Sequence, residues 1–280
     1  MNSLWLSNNK LINNNFIKEI DTSNTSNKTL LETDVCIVGA GIFGLTCAYY
    51  LSNLGYRVTV LEKDKIGEKT TGHTTAKITS QHGLFYSYLA NSYSQKFAQD
   101  YLEANEQAIK NIKNIIDKEK IKCDFEYKNS YVYTTKKEDL KFIKKEQKTI
   151  ENLGFNCEYV TKTGLPFEIE GAICFKNQAQ FHPLKYLNGL CHCIAKNNNE
   201  IYTNSTVFDV QKENDFYITF SNNFNVKSKY VIVATHYPFI NFPGFYFAKM
   251  YQSTSYLIAV DTKKTLFNGM YISATNPILS

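Results

Sequence analysis

The feature that most restricts what this chain can fold into is the glycine turn Gly39-Ala40-Gly41-Ile42-Phe43-Gly44, placed between an apolar run and a helical pattern. Val35 to Val38 is an uninterrupted apolar stretch of the kind found in a strand covered on both faces, and it stops at the glycines. Beyond the turn, Ile42, Leu45, Ala48, Tyr49 and Leu51 recur at helical spacing over 42–54, and Gly55 stands where such a helix closes. Arg57 to Leu61 reads as a second buried strand, so 34–61 is predicted to be a βαβ unit. In a G-x-G-x-x-G turn the first glycine permits the tight turn, the second lets the backbone approach a pyrophosphate, and the third lets helix and strand pack closely. Gly39, Gly41 and Gly44 fill those positions, and the run including Ile42 and Phe43 is the expected seat of a dinucleotide's ADP half.

Glu62 ends the second strand, 18 residues beyond Gly44. A carboxylate there accepts hydrogen bonds from an adenosine ribose and repels a 2′-phosphate, which favours FAD or NAD over NADP. The plain alternatives are a glycine turn that binds no nucleotide and a solvent-facing charge at a strand end. The turn does not separate FAD from NAD, so the following loop, from Lys63 through the Gly/Thr-rich residues 67–75, carries weight. Small and hydroxyl-bearing residues at Thr70, Thr71, Gly72, Thr74 and Thr75 allow a loop to lie close along a dinucleotide and donate to its oxygens; a flexible polar loop is the alternative.

The rest of the chain adds organisation. Residues 1–32 form an Asn-, Ser- and Thr-rich extension expected to dock through Trp5 and Leu6. Helical patterns cover 92–120, 136–152 and 183–196, a hairpin is expected over 124–135, and strands over 205–211, 215–220 and 229–234. The 31 basic residues exceed the 26 acidic ones but are interspersed with them, which argues against a nucleic-acid partner. Seven cysteines at irregular spacing argue against a disulfide framework, and no apolar run approaches the ~20 residues that span a bilayer, so a soluble cytoplasmic protein without a secretory signal is expected. Cys191-His192-Cys193 lies on a predicted helix, where adjacent positions face apart, and no partner pair follows at metal spacing; no metal is expected.

Three segments carry a family resemblance: Lys69 to Lys77, Ala179 to Leu187 and Val231 to His236. They resemble the D-amino acid oxidase and glycine/sarcosine oxidase superfamily of FAD-dependent oxidoreductases, in particular a bacterial branch in which some members carry a carboxy-terminal Rieske domain. The opening Leu4-Trp5-Leu6 resembles the same branch. The resemblance implies an α/β fold, with a Rossmann-like FAD-binding domain over 33–90 and 165–236 and a mixed, β-rich substrate domain over 91–164 and 237–280. It implies FAD as cofactor, Val207 meeting the adenine through its backbone, and Ala234 and Thr235 approaching the pyrophosphate or ribityl chain. The implied activity is oxidation of a small-molecule amine or amino acid by hydride transfer to flavin N5, with an electron acceptor that the sequence does not name. His73 and Lys77 are the candidates for the flavin ring side, and Tyr251 and Tyr256 for the substrate pocket. For His73, His82, His182 and His236 alike, a structural role is the alternative to a direct one. Members of the superfamily continue past the position of Ser280, so the substrate domain is expected to lack its carboxy-terminal part. Two rival readings stay open: a catalytically inactive nucleotide-binding remnant or interaction module, and an NAD-dependent dehydrogenase.

Overall fold

A computed structural model describes residues 3–7, 14–18, 29–262, 267–274 and 278–280. Strand β1 (Leu30–Val38) is followed by helix α1 (Ile42–Asn53) and strand β2 (Val58–Leu61). Strand β3 (Lys77–Ile78), helices α2 (Tyr86–Ser92) and α3 (Gln95–Glu119), strand β4 (Glu126–Thr134), helix α4 (Leu140–Asn152) and strands β5 (Glu158–Val160) and β6 (Gly171–Gln180) follow. Helix α5 (Pro183–Lys196) leads into β7 (Glu200–Tyr202), β8 (Val207–Glu213), β9 (Phe216–Ser221) and β10 (Asn225–Val233), and β11 (Met270–Ser273) lies near the carboxyl end.

Contacts divide the chain into two compact units. The first comprises residues 1–75, 121–123 and 182–258, and the second 76–120, 124–181 and 259–280. The boundary therefore falls earlier than position 90 and later than position 165. The reason is strand pairing: β3 and β6 hydrogen-bond in the same sheet as β4, which draws 76–90 and 165–181 into the second unit.

In the first unit a six-stranded sheet runs β7-β2-β1-β10-β9-β8. The predicted βαβ unit is its centre: β2 and β10 flank β1 in parallel, with Val35, Cys36, Ile37 and Val38 opposite Val58 to Leu61 on one side and Tyr230 to Val233 on the other. All four residues of β2 are buried, as expected for a parallel strand covered on both faces. Helix α1 buries Gly44, Leu45, Ala48, Tyr49 and Ser52, a stripe of helical period, and packs beside α5. On α5, Cys191 is buried and His192 exposed, as the helical spacing predicts. β1 begins at Leu30, before the expected start at Asp34, because Leu30 to Thr33 pair with Asn225 to Ser228 of β10. Lys18 makes an isolated parallel bridge to Tyr202, so part of the amino-terminal extension covers the β7 edge.

Gly55 closes α1. The Tyr56 N–H donates to the Leu51 carbonyl and the Gly55 N–H to the Ser52 carbonyl, each at 3.1 Å, the paired bonds of a Schellman ending. Gly55 has φ +85°, and a Cβ there would meet nothing within 4 Å, so only its backbone conformation calls for glycine. Gly55→Ala is accordingly expected to cost about 1 kcal/mol, read as a small fall in urea midpoint with an unchanged circular dichroism spectrum.

In the second unit the sheet runs β11-β4-β6-β3, with β5 also pairing β6. Residues expected to form a hairpin over 124–135 instead make the single strand β4, whose partner β6 is supplied from some 40 positions later, at Gly171 to Gln180. The helix expected over 92–120 is α3, which starts at Gln95 because the extended backbone of Ser94 lets its side chain accept from the Phe97 N–H at 3.0 Å; α2 ends at Ser92, where that span begins. Tyr86, Leu89, Leu102, Ile143, Ile150 and Phe175 form the core between the helices and the sheet. Glu146 of α4 is 1% exposed, and its carboxylate accepts the N–H groups of Tyr86 (2.6 Å) and Ser87 (2.8 Å) at the start of α2.

The stretch from 237 onward is not β-rich among the described residues: after β10 the only strand is β11. Tyr251 and Tyr256, placed by expectation in strands, lie in no regular element, and Tyr251 is 91% exposed. No helix among the described residues is long and apolar enough to cross a membrane.

Candidate functional site

The site is built where β1 ends. Gly39 has φ +111°, its N–H donates to the Leu61 carbonyl at 2.8 Å, and a Cβ on it would stand 2.7 Å from the Ala234 carbonyl oxygen. The Ala234 N–H in turn donates to the Val38 carbonyl at 2.8 Å, which lays the segment after β10 against the turn. At Gly44 a Cβ would run into the Gly39 carbonyl, so α1 lies on the turn with no room for a side chain. Gly41 differs from both. A Cβ there would meet only Thr71 Oγ1, at 3.4 Å, so the space in front of it is open to a ligand.

Gly41 is also the N-cap of α1 and offers no side chain to its first turn. The Ile42 N–H reaches Thr71 Oγ1 only at 3.4 Å, a weak bond. Helix N-termini carry partial positive charge, and uncapped first-turn N–H groups make a ready seat for a phosphate. Beside the turn, Glu62 accepts the Ala40 N–H at 2.7 Å through Oε2 and the Asp64 N–H at 3.0 Å through Oε1. The Glu62 N–H donates to Tyr202 O, and Ser205 N–H donates to Glu62 O, both at 2.8 Å, so β7 and the residues after it hold Glu62 from both sides. Nothing in the local sequence signals that support, because β7 reaches β2 only through long-range pairing. Thr235 adds a buried hydroxyl oxygen without a hydrogen-bond partner, next to Ala234.

The 67–75 loop folds into a 3₁₀ turn at Thr70–His73. Gly67, not singled out by the sequence, is required there: with φ +67°, its Cβ would press on Leu184 Cδ2 at 2.6 Å and Leu187 Cδ1 at 2.8 Å of α5. Thr71 faces Gly41 and Ile42, whereas Lys63, Thr70 and Thr75 are exposed. Val207 is 9% exposed in a cluster with Cys36, Val38, Leu61, Tyr202 and Phe224, so its side chain is core.

Of the catalytic candidates, His73 is exposed and its ring Nδ1 pairs with the Lys69 carbonyl at 2.8 Å. Lys77 stands in β3 of the second unit, where its ammonium donates to the Tyr271 carbonyl at 3.0 Å and to Ser280 Oγ; burial pushes its pKa down. Tyr251 projects into solvent outside any regular element. His236 is exposed, whereas His182 is the N-cap of α5, a structural position. His82 meets the Tyr101 hydroxyl at 3.0 Å in the second unit.

Comparison with known proteins gives a consistent picture. The FAD dependent oxidoreductase family (DAO) matches residues 34–276. The chain is 35% identical over 246 residues to YhfW of Bacillus subtilis (strain 168), whose name places it among Rieske 2Fe-2S iron-sulfur proteins; the match covers 88% of this chain and 48% of that protein. It is 26% identical to the gamma-glutamylputrescine oxidoreductase of Escherichia coli (strain K12), over 76% of this chain and 50% of the other. The chain thus spans about half the length of the curated relatives it matches. Among solved structures, L-proline dehydrogenase from P. horikoshii superposes with a TM-score of 0.65 at 19% identity, covering 88% of this chain and 65% of that one. Glycine oxidase from Geobacillus kaustophilus superposes with a TM-score of 0.62 at 16% identity, covering 73% and 55%.

Proposed function

The chain belongs to the family of FAD dependent oxidoreductases (DAO), and on that footing we propose that its first unit seats the ADP half of FAD on the 39–44 turn, in a protein that oxidises an amine or amino acid. The observation that carries this reading is the contrast among the three glycines: Gly39 and Gly44 are filled against backbone, while Gly41 opens onto space bordered only by Thr71 Oγ1. A pyrophosphate fits there, over the uncapped start of α1 and within reach of Thr71. Glu62 would hold the adenosine ribose. Its two oxygens each take one backbone N–H and keep lone pairs for ribose hydroxyls. The unpartnered Thr235 hydroxyl would find its acceptor on the same ligand.

Thr70, Thr74 and Thr75, with Lys63, would line the cofactor from the exposed side of the loop, and the backbone at Val207 would meet the adenine. FAD, when bound, supplies an acceptor for the hydride of a substrate C–H bond. Lys77 is the retained candidate for a chemical role in the oxidation of the amine or amino acid. The substrate class is supported by relatives named for gamma-glutamylputrescine, glycine and L-proline.

Two measurements test this reading. Purified protein should show flavin absorbance or take up added FAD with a rise in melting temperature, and a colourless protein that FAD does not stabilise would overturn it. Glu62→Arg should weaken FAD binding about 30-fold, since two charge-assisted bonds to the ribose are lost. An unchanged FAD-induced shift in that variant would remove Glu62 from the site.

A further inference from the structure

Residues Ser3 to Ser7 form a small turn closed on itself, with the N–H groups of Leu6 (3.1 Å) and Ser7 (3.0 Å) donating to the Ser3 carbonyl and Ser7 Oγ donating to the Leu4 carbonyl at 2.7 Å. This turn lies on the 70–75 segment. The Trp5 indole N–H donates to the Thr74 carbonyl at 2.8 Å, and Ser3 Oγ donates to the Gly72 carbonyl. Leu6 packs on Gly72, where an added Cβ would strike the Gly67 carbonyl oxygen at 2.5 Å and meet both Leu6 methyls at 3.2 Å. The Trp5 ring stands edge-on to His182, the N-cap of α5, with centroids 4.9 Å apart. Two carbonyls of a surface turn are thus taken by side chains from about 70 positions earlier in the chain.

The consequence reaches the cofactor seat through Thr71. That residue lies between the two held carbonyls' strand of chain and the dinucleotide turn, with its Oγ1 near the Ile42 N–H and facing the open side of Gly41. A short turn rich in Thr and Gly has little apolar burial of its own to fix it, and Thr70 and Thr75 are exposed. We propose that Ser3 to Leu6 is a strap that fixes the 70–75 turn in the shape that holds FAD, with Trp5 as its principal positioning residue. The inference rests on the FAD reading above and extends it to a segment outside the dinucleotide fold. Holding the loop in place before binding lowers the ordering cost of binding, so loss of the strap should appear mainly in how long FAD stays.

The test uses the 280-residue chain and the variants Trp5→Phe, which keeps a ring against His182 but lacks the N–H, and Trp5→Ala, which lacks both. FAD release is followed by flavin fluorescence, and amide hydrogen exchange is followed in the FAD-free protein. We expect release about tenfold faster in Trp5→Ala and several-fold faster in Trp5→Phe. Amides of 70–76 should exchange faster while those of β1 and α1 keep their protection, which separates loop release from general loosening. Wild-type release rates with unchanged exchange over 70–76 would overturn the strap. Equal loss of protection across β1 and α1 would overturn it as well, since Trp5 would then be a general core residue. Failure of the unsubstituted protein to take up FAD would overturn the cofactor reading and the strap's role in it, and that outcome is recognised without any variant.

Discussion

Gly44→Ala is expected to destabilise the first unit by about 3 kcal/mol and to disrupt the proposed FAD seat. Alanine is intrinsically the better helix former, by roughly 1 kcal/mol over glycine, so propensity alone predicts the opposite sign. Sterics decide against propensity. The new Cβ would run into the Gly39 carbonyl and approach Ala234 Cβ at 3.3 Å, and the Gly39 backbone is itself fixed by its bond to Leu61 O. Neither obstacle is the movable end of a long side chain. Relief requires α1 to slide off β1, which would unpack Leu45 and Ala48, both fully buried. Urea denaturation followed by circular dichroism measures the loss. A variant as stable as the parent would show that α1 does not lie on the turn as described. The same chemical change at Gly55 costs about a third as much because only backbone strain opposes it there.

Glu146→Ala is expected to cost about 3 kcal/mol in the second unit. The Glu146 carboxylate receives the first-turn N–H groups of Tyr86 and Ser87, in surroundings where Glu146 is 1% and Tyr86 0% exposed. The Tyr86 bond is buried and the Ser87 bond half-buried, so removing the acceptor leaves the Tyr86 N–H unpaired away from water and a void beside the core of Ile143, Ile150 and Phe175. Helix α2 has seven residues and no side-chain cap of its own, which makes this long-range carboxylate its cap. Glu146→Gln should cost about 2 kcal/mol, because one amide oxygen can still accept while the NH₂ group faces a donor. Equal urea midpoints for Glu146→Ala and the parent would refute the capping role.

These two sites also mark how far the sequence could be read. Gly44 was legible: its spacing from Gly39, the apolar run before it and the helical pattern after it specify a local unit whose partners lie within about 30 positions. Glu62 was legible for the same reason, since β1, α1 and β2 follow one another. Glu146 was not, because its charge reads as one more solvated position on an amphipathic helix until α2 is brought against it. The misplaced boundary of the first unit has the same origin. The resemblance implies that 165–181 belongs with the FAD-binding segments, but the residues of β6 pair with β4, and no local pattern states which sheet a strand will join. Gly67 was passed over because its need for glycine comes from Leu184 and Leu187, about 120 positions away. The resemblance implies a β-rich stretch from 237 onward, yet residues 237–262 form no strand. Aromatic content favours a strand only where a neighbouring strand is present to pair with it.

By itself the sequence determined the βαβ unit with its glycine turn, the acid at the end of β2, the amphipathic helices and the family. Each is encoded in short-range periodicity, in the conformational freedom of glycine, or in motifs read directly along the chain. The tertiary structure alone decided the use made of that turn's surroundings: which glycine faces open space, which residues hold Glu62, and how Ser3, Trp5 and Leu6 come to lie on the Thr70 to Thr75 segment. The contacts from Tyr202 and Ser205 that hold Glu62 and those that bring Ser3 and Trp5 onto the loop join positions about 70 to 145 residues apart. Their energies arise from desolvation and close packing once the strands have paired, and no single stretch of sequence contains both partners.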